Sequence, residues 1–283
     1  MAKTLTWFEN QCALNAPDVM RAFLAGAQRA GYQIVANSMD ADVAVIWSVL
    51  WYGRMAKNQL VYEHFRKNNR PVIVIDIGAL NRGVTWKVAV NHVTAQGYYG
   101  HHENLDHDRP VRFGLTLKAP LSTRAEILIC SQHARSLQME GWNSVESWIN
   151  DRIDRLKHYT DRKVIVRPHP RSPVNPALLS TRVHVQVPKK LVNTYDSFDF
   201  DMNYHAIINH NSGPGIQAAI AGIRPIVDNS SLAYPVSFAM AALEKPYDID
   251  REQWLVEISH TEYTVAELEQ GIWYPRLHKA LNE

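Results

Sequence analysis

The chain has 283 residues, of which 46% are hydrophobic and 20% charged. That composition supports one large α/β domain or two smaller ones and excludes wholesale disorder. Lys and Arg number 30 against 28 Asp and Glu, a formal net charge of +2, so a general basic coat for nucleic acid is excluded while a local basic face is not.

Short apolar runs alternate with longer amphipathic stretches, the signature of βαβ units and a mainly parallel sheet. Leu5–Phe8 reads as a strand. Pro17–Ala30 reads as a helix, with Pro17 in its first turn and Gly31 as its stop. Gln33–Ala36 and Val43–Trp47 are short strands, Gln59–Asn68 is a helix, and VIVIDI (Val72–Ile77) is a strand covered on both faces. Between Gly97 and Pro120, where His101, His102 and His107 fall, no period holds and a long loop is expected. The pattern then restarts. Glu126–Cys130 is a strand, Ser144–His158 a helix capped by Ser144, Lys163–Arg167 a strand, and Val183–Val187 a short strand. Ala206–Asn209 is a strand, Ile216–Ala221 a helix and Arg224–Val227 a strand. Helices are expected over Arg251–Ile258 and Val265–Gly271. The boundaries follow as one domain over 1–120, a second over 121–260, and a helical tail over 261–283 that packs back on the first.

Cys12 and Cys130 form neither a metal spacing nor a disulfide framework, which fits a reducing compartment. The segment MAKTLTWFENQC lacks the apolar core of a signal peptide, and no run of about 18 apolar residues exists. A cytoplasmic protein without membrane insertion is expected.

Two segments carry chemistry. In AIINHNSGPGIQAAIAGIRPIV (206–227) an apolar strand runs into a turn with Ser212, Gly213 and Gly215, then a helix. Such a turn sits at the carboxyl end of a parallel strand, where open α/β sheets bind ligands. The glycines allow close backbone approach, and the helix N-terminus with Ser212 makes an anion site. The alternative is that Ser212 only caps the helix. In KVIVRPHPRSP (163–173) a strand ends in Arg167, His169 and Arg171 among prolines that hold the backbone extended. Period-two spacing places the three basic groups on one side, and Arg suits bidentate phosphate contact. The alternative is a solvated basic turn.

Together, HP after a strand and the Ser-Gly turn with its small-residue helix resemble the nucleotide-binding half of GT-B glycosyltransferases. The resemblance is nearest to the HP-motif enzymes that build capsules and lipopolysaccharide and to small bacteriophage DNA glycosyltransferases. It implies an α/β fold of two Rossmann-like domains facing each other across a cleft. The second domain would hold a nucleotide-sugar donor, a UDP-sugar being expected, and the first would bind the acceptor. By this analogy Arg167, His169 and Arg171 contact the donor phosphates and Ser212, Gly213 and Gly215 hold them at the helix tip. Gln217 stands where many members carry a ribose-binding Glu. No metal and no cofactor beyond the co-substrate is implied. The acceptor expected is a hydroxymethylated pyrimidine in double-stranded phage DNA, which would put the protein in the host cytoplasm. A cell-envelope glycan is the alternative.

A base for the acceptor hydroxyl is sought in the first half. Asp76, at the end of VIVID, is the first candidate and Glu9 the second. The competing role for Asp76 is a buried turn carboxylate. Arg82, Lys87, Asn91 and His92 lie nearby in sequence. Trp47, Trp51 and Arg54 are candidates for stacking on an acceptor and contacting its phosphates, against core packing for the aromatics. Asp199-Phe200-Asp201 matches a metal-binding DxD pattern but is read as incidental, as are the three histidines of the loop. A sugar-nucleotide epimerase and a non-catalytic nucleotide- or nucleic-acid-binding module remain as other readings.

Overall fold

The computed structural model describes residues 2–100, 102–121, 124–180, 183–190 and 202–282. The DxD segment 199–201 and His101 lie outside these residues. The described residues form two compact α/β units. Unit 1 takes the chain up to Arg109 and again from Glu257 onward. Unit 2 takes the residues from Pro110 to Val256.

Unit 1 is built on β1 (Thr4–Trp7), β2 (Gln33–Ala36), β3 (Val43–Trp47), β4 (Val72–Ile77) and β5 (Thr85–Val90), with helices α1 (Pro17–Arg29) and α2 (Asn58–Lys67). The pairings β2-β1-β3-β4 are parallel, as in a Rossmann-like half. β5 then turns back antiparallel to β4. The expectation of a mainly parallel sheet fails at this edge because TWKVAV follows β4 by a short hairpin loop, too short for a crossover. Val72 to Ile75 are fully buried, as a strand covered on both faces requires. α1 turns Val19, Met20, Phe23 and Ala27 inward at helical spacing. The region 97–120 is not all loop, since α3 (Arg109–Arg112) forms one short turn there.

Unit 2 contains β6 (Glu126–Cys130), α4 (Val145–Leu156), β7 (Lys163–Arg167), β8 (His184–Val185), β9 (Ala206–Asn209), α5 (Gly213–Ile220) and β10 (Arg224–Val227). Its sheet is wholly parallel in the order β10-β9-β6-β7-β8. Ser144 caps α4 in a reciprocal capping box with Ser147.

The end of the chain is richer than two helices. After α6 (Glu252–Ser259) comes β11 (Glu262–Thr264), which adds antiparallel to β5. α7 (Val265–Gln270) and α8 (Tyr274–Asn282) follow. α7 lies against α1 so closely that a Cβ on Gly26 would stand 2.0 Å from the Leu268 carbonyl oxygen, and Trp273 stacks on Phe23 at 4.4 Å between ring centroids.

Candidate functional site

The carboxyl edge of the unit 2 sheet gathers a set of hydrogen-bonded polar side chains. Register puts Cys130 beside both Arg167 and Asn209, so the loops after β6, β7 and β9 leave the sheet at one level. The β6 loop sits between the other two and bonds to each. Gln132 Oε1 accepts from the Asn211 backbone N–H at 2.9 Å, and the Ala134 N–H donates to Ser172 Oγ at 3.1 Å. The loops 167–171 and 211–215 therefore flank one shared loop. Asn209 ties the edge together by donating to the Cys130 carbonyl and to Ser212 Oγ, both at 2.9 Å.

The residues expected here fall into distinct environments. Ser212 occupies the cap position of α5 but makes no side-chain cap bond; its hydroxyl is held by Asn209 instead. Gly213 and the half-buried Gln217 lie on α5. Gly215 serves packing: a Cβ there would stand 2.6 Å from Val227 Cγ1. Close helix–strand approach accounts for that glycine, in place of the ligand approach expected for it. Arg167, His169 and Arg171 do not share one side of an extended strand. The chain turns at His169, whose carbonyl accepts from the Ser172 N–H at 3.0 Å. Arg167 is buried and reaches Gln186 at 3.3 Å, and burial lowers its pKa. His169 is half-buried and Arg171 exposed.

Sequence reasoning missed the β6 loop. The ring of His133, buried after β6, lies 5.4 Å from that of His169 at an interplanar angle of 76°. Ser131 Oγ and Asn211 Oδ1, on residues 6% and 7% exposed, have no hydrogen-bond partner among the described residues. Deeper in the edge, His210 Nδ1 bonds Asp228 and its Nε2 bonds the Gln138 carbonyl at 2.9 Å. Burial opposes ionisation of Asp228, yet His210 and Arg152 hold its carboxyl below the usual range.

Unit 1 has its own cluster. Asp76 Oδ2 accepts from Ser48 Oγ at 3.1 Å and Oδ1 from the Ile77 N–H at 2.7 Å. Burial raises its pKa against the opposing pull of Lys87 and these bonds. Ser48 sits at φ +60°, a left-handed conformation unusual for serine. The Tyr99 hydroxyl, near Asp76 and Glu262, is buried without a hydrogen bond among the described residues, and burial drives its pKa well up. Glu262, fully buried on β11, accepts from the Ala79 N–H (2.7 Å), the Leu80 N–H (3.2 Å) and Thr85 Oγ1 (2.7 Å), and so shapes the turn after Asp76. Arg82 is half-buried on that turn and contributes a positive field at Asp76.

Glu9 and the exposed Arg54 line a pocket of about 400 Å³ with Trp7, Leu14, Met20 and Arg21. Trp51 is half-buried, its ring 5.7 Å from Tyr62. Trp47 is 1% exposed within the unit 1 core, packed among residues such as Leu5, Phe23 and Ile75. Its ring cannot stack on an acceptor, and its expected role is corrected to packing. Among the described residues no three His, Cys, Asp or Glu side chains form a metal-ligating group, and no helix is long and apolar enough to cross a membrane.

No protein-family model and no curated protein matches the chain. Among solved structures, the beta Kdo 2,7 transferase KpsC of Thermosulfurimonas dismutans shares 11% identity at a TM-score of 0.53, over 95% of this chain and 99% of that one. A putative UDP-N-acetylglucosamine 2-epimerase of Listeria monocytogenes (9% identity, 98% and 95% covered) and the glycosyltransferase SnogD of Streptomyces nogalater (10%, 99% and 100% covered) align at TM-scores of only 0.32 and 0.28. The fold is thus that of two Rossmann-like α/β units, shared with a glycosyltransferase over nearly the full length of both chains.

Proposed function

We propose that the protein transfers a sugar from a nucleotide-sugar donor to an acceptor hydroxyl. The observation that carries this reading is the interlocking of the β6, β7 and β9 loops at one edge of the unit 2 sheet. Backbone N–H groups at the start of α5, with His169 and Arg171, supply donors and positive potential for the phosphate of the leaving nucleotide. Ser212 adds a hydroxyl. In unit 1, Asp76, whose carboxyl pKa is raised by burial, is the first candidate for a general base. The acceptor oxygen would bond to the anomeric carbon as its proton passes to a general base. The bond from that carbon to the phosphate oxygen breaks, and its electron pair stays on the nucleotide. Glu9, in its pocket, is the second candidate base.

The KpsC transferase that shares the fold acts on Kdo, and a glycan hydroxyl is the acceptor class favoured here. Hydroxymethylated DNA enters as a test arm. The protein is incubated with UDP-, GDP- and CMP-sugars, alone, with glycan acceptors and with hydroxymethylated DNA. Acceptor-dependent nucleotide release is the expected result. Release without acceptor would favour epimerisation or hydrolysis, and binding without turnover a recognition module. Absence of both binding and turnover overturns the reading.

A further inference from the structure

The sequence H-x-R-S occurs twice in unit 2, at His133-Ala134-Arg135-Ser136 and at His169-Pro170-Arg171-Ser172. The two copies follow β6 and β7, which are adjacent parallel strands. They fold alike. In each, the Arg N–H donates to the His Nδ1 at 3.1 Å. In each, the Ser N–H donates to the His carbonyl at 3.0 Å. In each, the Arg is exposed. The copies are bonded to one another through Ala134 and Ser172.

Because each Nδ1 accepts a backbone N–H, the ring proton of each neutral imidazole resides on Nε2. Burial, reinforced by Arg135, lowers the pKa of His133 and favours that neutral form. The ring centroids lie 5.4 Å apart at an interplanar angle of 76°, so the two imidazoles are direct neighbours at this edge of the sheet. Arg135 and Arg171 add forked donors of fixed charge. Ser131 Oγ and Asn211 Oδ1, on residues that begin and border the same loops, are buried polar atoms with no hydrogen-bond partner among the described residues. Buried polar groups are normally met by protein, ordered water or a ligand.

We propose that the two H-x-R-S turns form a paired oxyanion clamp in which His133 and His169 each donate from Nε2 to the phosphate of the leaving nucleotide. The clamp deepens the transferase reading and rests on it for the identity of the anion. His133 and Arg135 thereby become binding residues, and the β6 loop becomes as much a part of the donor site as the HP turn.

Asparagine is the informative substitution. Its side-chain oxygen accepts from the N–H two residues on, so His133→Asn and His169→Asn keep the turn while removing the Nε2 donor. Calorimetric titration with UDP, CMP and inorganic pyrophosphate reads the result, with the melting temperature as the check on folding. Each variant is expected to lose about tenfold in affinity for the probes that the wild type binds. Wild-type affinity in His133→Asn beside a loss in His169→Asn overturns the clamp and leaves the donor reading standing. Binding of pyrophosphate, lost in both variants, with no binding of either nucleotide overturns the donor reading and leaves the clamp. No binding of any probe overturns both. If His133→Asn fails to fold, Arg135→Gln at its exposed position reads the same turn: a severalfold loss supports the clamp and unchanged affinity overturns it.

Discussion

Asp76 and Lys87 stand opposite each other as a cross-strand pair on β4 and β5. The Lys87 side chain is largely buried, so its charge acts on Asp76 through protein more than through water. That opposition, together with the bond from Ser48, keeps the carboxyl of Asp76 from rising as far as burial alone would drive it.

Asp76→Asn is therefore expected to lower kcat by about two to four orders of magnitude, the usual contribution of a general base, with nucleotide affinity retained. Ser48→Ala removes a hydrogen bond made to the charged form, so the carboxyl pKa climbs further. Activity falls as pH drops through that pKa, so the acid limb of the pH–rate profile should move to higher pH. An unmoved limb would take Asp76 out of the base role and turn attention to Glu9.

Gly215 tests whether the tip of α5 is positioned by packing. Gly215→Ala places a methyl 2.6 Å from Val227 Cγ1 and should cost about 1–3 kcal/mol through overpacking. Donor affinity should fall with it as the helix start is pushed outward. Val227→Ala in the same chain makes room and should restore most of the lost affinity. Titration of single and double variants decides the matter.

Much of this was legible in the residues. VIVIDI and AIINHNSGPG announce themselves because a strand buried on both faces needs an unbroken apolar run, and a strand-to-helix turn needs small residues. β11 gives no such signal. It has three residues between two helices, and its partner β5 lies far back in the chain. TWKVAV hides Lys87 inside a mostly apolar strand, a charge explained by its place opposite Asp76 on one side and Glu262 on the other. The prolines of RPHPRS point to an extended segment, whereas local hydrogen bonds to His169 close a turn. The first copy of that turn, HARS, carries no proline to draw notice. Trp47 shows the reverse error, since an aromatic next to Trp51 and Arg54 reads as a stacking surface until its burial is seen.

Glu262 is expected to matter to stability and catalysis together. Glu262→Ala removes the buried acceptor of the Ala79 and Leu80 amides, while the Thr85 hydroxyl keeps the Asn81 carbonyl as a partner. A loss on the order of 3 kcal/mol or more in urea unfolding follows from leaving such donors unpaired. Glu262→Gln keeps an acceptor and should lose less. Equal stability of wild type and the alanine variant would contradict the role given to this carboxylate.

Acid should weaken the fold through His92. Burial, with Lys87 nearby, pushes its imidazole down to about 4 from an ordinary 6.5, and its Nδ1 is bonded by Thr94 Oγ1 at 2.7 Å. Between those two values the unfolded chain binds a proton that the folded chain does not. Stability is then full above about pH 6.5 and declines as pH falls toward 4, by up to about 3 kcal/mol. His92→Gln should flatten that part of the stability curve. An unchanged slope would place the acid sensitivity in other groups.

β11 and its buried carboxylate also bear on how the protein is made. The first 109 residues leave the ribosome early, but the sheet they belong to lacks its edge strand and the anchor of the Asp76 turn until residue 262 emerges. The intervening residues supply all of unit 2 and can fold as they appear. The expected order of assembly is thus inside out: the later-encoded unit closes first, and the earlier one waits, incomplete, for β11 to be made.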